Sequence, residues 1–149
     1  MGVDTSFVGR QYPPEEVYEV GREALRAFAE AVGAAHPAHA DPDAARALGY
    51  PDVIAPPTFA VVVAQRSDAR LVRDPAAGID FSRVVHGEQH FTHHRPITAG
   101  DRLVATLHVD DVREAGGHAM VTTRNEIATQ DGEPVCTAVS VLVVRGQQS

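Results

Sequence analysis

Proton transfer is the chemistry most open to this chain, because it holds eight histidines and no lysine. All 13 of its basic residues are arginine, which excludes Schiff-base and lysine-nucleophile chemistry. The densest group of candidates is the segment Gly33-Ala34-Ala35-His36-Pro37-Ala38-His39-Ala40-Asp41. A histidine near a carboxylate can act as base or acid close to neutral pH, and loops on rigid supports are common places for such groups. His39, His36 and Asp41 are therefore the candidate catalytic residues. The competing reading is that Asp41 only caps a helix and His39 is a solvated loop residue.

The remaining histidines and the cysteine offer less. His86, His90 and His94 share one face of an extended segment, but a step of four residues spans about 13 Å at roughly 3.3 Å per residue. Ligands of one metal ion converge to about 2 Å from it, so no metal site is expected. The lone Cys136 lies in the apolar run Val135-Cys136-Thr137-Ala138-Val139 and reads as a buried, inert thiol. One further element is the start of an apolar helix near Thr58, where free N–H groups and the positive dipole end can stabilise an oxyanion. Pro56 and Pro57 subtract two donors there.

These residues need elements to hold them. Leu25, Phe28, Ala29 and Val32 form an apolar stripe from about Arg22, with Gly33 at the C-cap position. Asp41 is a suitable N-cap for a short helix from Pro42 to Leu48, ended by Gly49. Ile54-Ala55-Pro56-Pro57 is a rigid entry to Phe59-Ala60-Val61-Val62-Val63-Ala64, apolar on every side, as a helix wrapped by other structure must be. That helix is expected to end near Asp74-Pro75. After residue 80 the chain reads as β. Val84 to Ile97 alternates, placing His86, Glu88, His90, Thr92 and His94 on one face; Arg102 to Val112 places Leu103, Ala105, Leu107 and Val109 on one side. Gly116-Gly117 turns into His118–Thr129, and Asp131-Gly132 into Val135–Val144, apolar on nearly both faces. The expected fold is α+β, an antiparallel sheet wrapped around a long central helix, in one domain spanning 1–149.

Composition narrows the function classes. With 20 acidic residues against 13 arginines the net charge is −7, which argues against a nucleic-acid surface. No apolar run approaches the roughly 20 residues of a membrane helix, and the N-terminus lacks a secretory pattern, so a soluble, cytoplasmic protein is expected.

Across nearly the whole chain these segments resemble the MaoC-like (R)-specific hydratases and dehydratases of hot-dog fold. The resemblance rests on the Gly-x-x-x-Pro-x-His-x-Asp loop, on Ile54-Ala55-Pro56-Pro57-Thr58-Phe59, on Val84-Val85-His86-Gly87-Glu88-Gln89, on Arg95-Pro96 and on Ala99-Gly100-Asp101. They are similar to the non-catalytic half of double hot-dog hydratases and to the non-catalytic subunit of actinobacterial (R)-3-hydroxyacyl-carrier-protein dehydratases. The resemblance implies an acyl thioester substrate, carried on coenzyme A or acyl carrier protein, with no further cofactor. It also implies a homodimer or a heterodimer with a second MaoC-like hot-dog subunit. The acyl chain would run along the central helix from Phe59 toward Val63, making Pro57, Thr58, Phe59, Val62, Val63, His86 and Gly87 the expected substrate-binding residues.

The chain departs from the family where it matters. The catalytic loop of the family reads Gly-Asp-x-Asn-Pro-x-His; here Gly33, Pro37 and His39 agree, but Ala34 replaces the Asp and His36 the Asn. The family's Ala-His-Gly becomes Ala55-Pro56-Pro57. Losing one positioned acid–base group costs about 10²–10⁴-fold, and losing an oxyanion donor about 10²–10³-fold. The expectation is an acyl-binding subunit with a degenerate loop. Two alternatives are a non-enzymatic acyl or polyketide scaffold and a hot-dog thioesterase, the latter disfavoured because Thr58 to Gln65 carries no carboxylate.

Overall fold

The computed structural model describes residues 2–146. Two short strands, β1 (Gln11–Tyr12) and β2 (Tyr18–Glu19), precede α1 (Arg22–Val32), α2 (Pro42–Ala47) and α3 (Ala60–Val72). Four longer strands follow: β3 (Val84–His93), β4 (Arg102–Ala115), β5 (His118–Thr129) and β6 (Pro134–Val144). All pairings are antiparallel, in the order β1-β4-β5-β6-β3, with β2 also on β4. The central helix α3 packs against β4, β5 and β6, giving the expected α+β layout.

Local chemistry explains the boundaries. Gly33 adopts φ 71°, and its N–H closes α1 on the carbonyls of Ala29 and Glu30. Asp41 caps α2 through Asp43 N, with Pro42 at the first helical position. Gly116 and Gly117, at φ 60° and 80°, make the β4–β5 turn that only positive-φ residues suit. The stripe of α1 is shorter than the spacing predicts: Leu25 and Ala29 are buried, whereas Val32 is 51% exposed at the helix end.

Along α3 the buried positions are Ala60, Val63, Ala64, Ser67, Asp68 and Leu71, a stripe at intervals of three and four. Phe59, Ala60, Val63 and Ala64 lie inside, as the all-apolar run requires, while Val61 and Val62 are half-buried. Phe59 is held edge-on by Tyr18 and Phe28, at centroid distances of 6.1 and 5.3 Å.

The alternation expected along β3 does not hold. A bulge shifts the register between His86 and Glu88, so His86 pairs with Leu142 and Glu88 with Val141. Leu142 is buried on the inner face; His86 shares that face, while Glu88, His90 and Thr92 point outward. The extra residue is Gly87, where a Cβ would stand 3.1 Å from Val143 Cγ2 and 3.2 Å from the Val141 carbonyl oxygen.

Candidate functional site

His39 ends a single 3₁₀ turn, Pro37–His39, between α1 and α2. Ala38 is fully buried and accepts the N–H of Ile54 at 3.1 Å, while Ala55 N–H reaches Ile97 O at 2.7 Å. The loop, the entry to α3 and the segment after β3 are thereby strapped into one wall. His39 Nδ1 donates to the Ile54 carbonyl at 2.8 Å, since a carbonyl only accepts. This leaves Nε2 as the basic nitrogen. The ring lines a mostly apolar cavity of about 400 Å³, with Ile54 to Pro57 and His93 to Ile97 around it.

The other two candidate catalytic residues are engaged elsewhere. His36 Nδ1 accepts from Ala38 N at 3.1 Å as the cap of its own turn, and its ring centroid is 6.2 Å from that of His39. Asp41 Oδ1 accepts from Asp43 N at 2.9 Å, and neither residue borders the cavity. At the start of α3, the N–H groups of Phe59, Val61 and Val62 are bonded to Pro56, Thr58 and Phe59 carbonyls. The turn therefore consumes donors that a developing oxyanion would need.

The expected acyl-contact residues do not form one slot. Pro57 borders the His39 cavity. Thr58 is exposed, Val62 is half-buried, and Phe59 and Val63 are packed into the core at 1% and 4% exposure. Side chains fill the space between Phe59 and Val63 because Tyr18 and Phe28 close on the Phe59 ring. Val63 also borders a depression of about 290 Å³ beside Tyr18 and Arg70. Gly87 is the bulge residue, and His86 belongs to a separate cavity of about 720 Å³ under the second half of α3.

That larger cavity exposes a residue the sequence reading missed. Asp68 is 5% exposed and accepts from Asn125 Nδ2 at 2.8 Å. Burial raises its carboxyl to about 6, against the opposing pull of the Asn125 amide, the Thr123 hydroxyl and the charges of His86 and Arg70. The signal was present: extending the stripe of Ala60 and Ala64 by one turn puts Asp68 inside, three residues past Gln65.

Other candidates are settled by their contacts. Cys136 is buried and its thiol is pushed up to about 11 by desolvation, the opposite of activation. Arg95 is bound to Asp101 and Glu133. Among the described residues no group of three or more His, Cys, Asp or Glu is placed to hold a metal ion, and no helix is long and apolar enough to cross a membrane.

Comparison with known proteins agrees with the geometry. Residues 6–138 match the family model of the FAS1-like dehydratase domain region. A UPF0336 protein of Saccharopolyspora erythraea is 58% identical over 98% of this chain and 94% of its own length. The HadBC (3R-hydroxyacyl-ACP dehydratase) complex of Mycobacterium tuberculosis contains a chain that superposes with TM-score 0.85 and 35% identity, covering 96% of this chain and 99% of that one. A MaoC-like dehydratase gives TM-score 0.86 and 35% identity over 95% of this chain and 43% of that longer one. With its curled sheet around α3 and its relatives in view, the chain belongs to the UPF0336 and FAS1-like dehydratase-region family, on the hot-dog fold of the MaoC-like hydratases and dehydratases.

Proposed function

We propose that this chain is the acyl-binding subunit of an (R)-3-hydroxyacyl-thioester dehydratase or enoyl hydratase, and that a second hot-dog chain supplies the acid–base pair. One observation carries the reading. Of the three titratable candidates in the loop, only His39 borders the cavity, and the position where the family keeps an Asp is Ala34. Removing the α-proton of a thioester while protonating a poor leaving group needs two positioned groups and a stabilised enolate oxygen. A methyl group at position 34 does neither task, and the prolines weaken the third.

Partnership has its own support. β3 is the edge of the sheet beyond β6, ten residues long and mostly exposed, and such an edge invites pairing. The HadBC structure, 35% identical to this chain over nearly its full length, is itself a complex. The acyl group, on coenzyme A or acyl carrier protein, would enter past Pro57 and His39.

The test is an enoyl-thioester hydration assay on the chain alone and on the chain mixed with a MaoC-like subunit that keeps both Asp and His in its loop. The expected result is activity only in the mixture, unchanged by His39→Ala in this chain. Activity of the chain alone that disappears in His39→Ala would overturn the reading in favour of a rearranged catalytic site. Tight acyl binding with no activity in either case would leave the scaffold role.

A further inference from the structure

Aromatic residues are few in this chain, and three of them meet at one place. Phe59, 1% exposed, stands where the entry turn becomes α3, with its N–H on the Pro56 carbonyl. Phe28 of α1 meets its ring edge-on at 5.3 Å, and Tyr18 of β2 does so at 6.1 Å. The exposed Arg66 lays its guanidinium over the Tyr18 ring at 5.0 Å and braces that ring from the solvent side. Three separate elements thus hold the rings, so packing fixes the cluster and no single loop can withdraw it.

The cluster stands behind the His39 cavity. Ala55 and Ile97 line that cavity and also belong to the apolar core group that contains Phe59 and Val63. The floor of the cavity is therefore the outer skin of the packed group around the Phe59 ring. At about 400 Å³ the cavity is near the small end of the roughly 300–1,000 Å³ usual for small-molecule sites. Deeper space exists in the 720 Å³ cavity under the second half of α3, but the two share no lining residue. Along α3 toward it, Val63, Ala64 and Ser67 are all buried. A tail that enters past Pro57 and His39 meets filled core rather than a continuing channel.

We infer that Phe59, Phe28 and Tyr18 set the acyl-chain length, and that the substrate of this site is a short-chain thioester whose tail ends against the three rings. The inference rests on the acyl-binding reading above and narrows its substrate class. A longer tail has to displace a ring from its packed position or leave its far methylenes in water, where they gain nothing from burial.

The experiment compares kcat/KM for hydration of crotonyl, octenoyl and dodecenoyl thioesters of coenzyme A. It uses the full chain mixed with a MaoC-like subunit that keeps Asp and His in its loop. The expected value for crotonyl is about tenfold or more above that for dodecenoyl, since even one methylene misfitted to an apolar pocket is worth roughly 10–200-fold. Phe28→Ala, which removes the half-buried phenylalanine of the cluster, should raise the ratio of dodecenoyl to crotonyl about tenfold. Phe59→Leu, which thins the cluster and keeps an apolar side chain in the core, should move the ratio the same way. A ring that only supports the fold would lower all three values together, so a gain for the long chain is the signature of a length stop. The wild-type order stands as a test even where a variant fails to fold. A dodecenoyl value equal to or above the crotonyl value overturns this inference and leaves the acyl-subunit reading standing. The same conclusion follows if the ratio is unmoved in both variants while circular dichroism shows them folded. A mixture inactive on all three thioesters overturns the acyl-subunit reading, and this inference falls with it.

Discussion

The Nδ1 atom of His39 lies 2.8 Å from the carbonyl oxygen of Ile54, and that bond decides which nitrogen is available for chemistry. With Nδ1 protonated, Nε2 is a base in a ring that borders the cavity, but it has no carboxylate to share a proton with. Ala34 is half-buried just beyond the Gly33 cap, its N–H fixed on Ala29 O at 2.8 Å. Ala34→Asp returns a carboxylate to this framework without changing the backbone. The expected gain in enoyl-thioester hydration by the chain alone is about 10²-fold, the low end for one acid–base group, because the proline-blocked helix start still lacks donors. The rise in activity over the parent chain measures it, and no gain means that the loop has drifted from the geometry of its family.

Asp68 makes stability depend on pH. Its carboxyl titrates near 3.8 when the chain is unfolded and about 6 when folded, with burial the main cause. The folded state therefore holds the proton more tightly. Stability falls as pH rises through the window from about 4 to 6, and the full penalty, roughly 2–3 kcal/mol, applies above it. Arg70 and His86, on α3 and β3, favour the ionised form and limit the penalty. Asp68→Asn removes the ionisation and keeps a partner for Asn125 Nδ2. Urea unfolding is expected to find the variant more stable by about that amount at pH 8 and close to the parent at pH 4. An equal difference at both pH values would mean that the carboxyl titrates alike in the folded and the unfolded chain.

Most of the fold was legible, and the reasons lie in particular residues. The φ-positive pair Gly116-Gly117, the Gly33 and Asp41 caps and the alternation Leu103, Ala105, Leu107 and Val109 are local signals, and each produced the element expected. The bulge at Gly87 was not legible. A bulge inserts one residue into a period of two, and the segment from His86 to His94 is polar on both faces, so nothing in its hydrophobic pattern marks the slip. The ring cluster of Phe59, Tyr18 and Phe28 closes the expected acyl slot through residues far apart in sequence, which spacing along one helix cannot reveal. Asp68 was readable from its place on the stripe, four residues past Ala64.

Gly87 itself is open to test. Its side-chain position faces the Val141 carbonyl at 3.2 Å and a Val143 methyl at 3.1 Å; the methyl can move, but the carbonyl is fixed in the ladder. Gly87→Ala is expected to cost about 1–2 kcal/mol, as crowding in a packed site does. For a domain of this size that lowers Tm by about 3–6 °C. Thermal unfolding followed by circular dichroism checks it, and an unchanged Tm would mean that the strand moves away from β6 at the bulge.

Arg95 is either a structural arginine or one that meets a pantetheine phosphate, and its contacts separate the two. Nη1 and Nη2 grip Asp101 at 2.8 and 3.0 Å, Nε donates to Glu133 at 2.8 Å, and Nη1 also reaches the Pro96 carbonyl. Asp101 Oδ2 in turn accepts the Thr98 N–H at 2.8 Å, so one fork holds the loop that walls the His39 cavity. A guanidinium so occupied is a loop fastener. Arg95→Ala is expected to cost about 1–3 kcal/mol of stability, and Arg95→Lys to recover little of it, because an ammonium cannot reproduce the two-pronged contact. In the mixed assembly, the ratio of KM values for coenzyme A and pantetheine thioesters should stay the same in Arg95→Ala. A selective loss of the coenzyme A substrate would instead mean that this guanidinium leaves Asp101 to meet a phosphate.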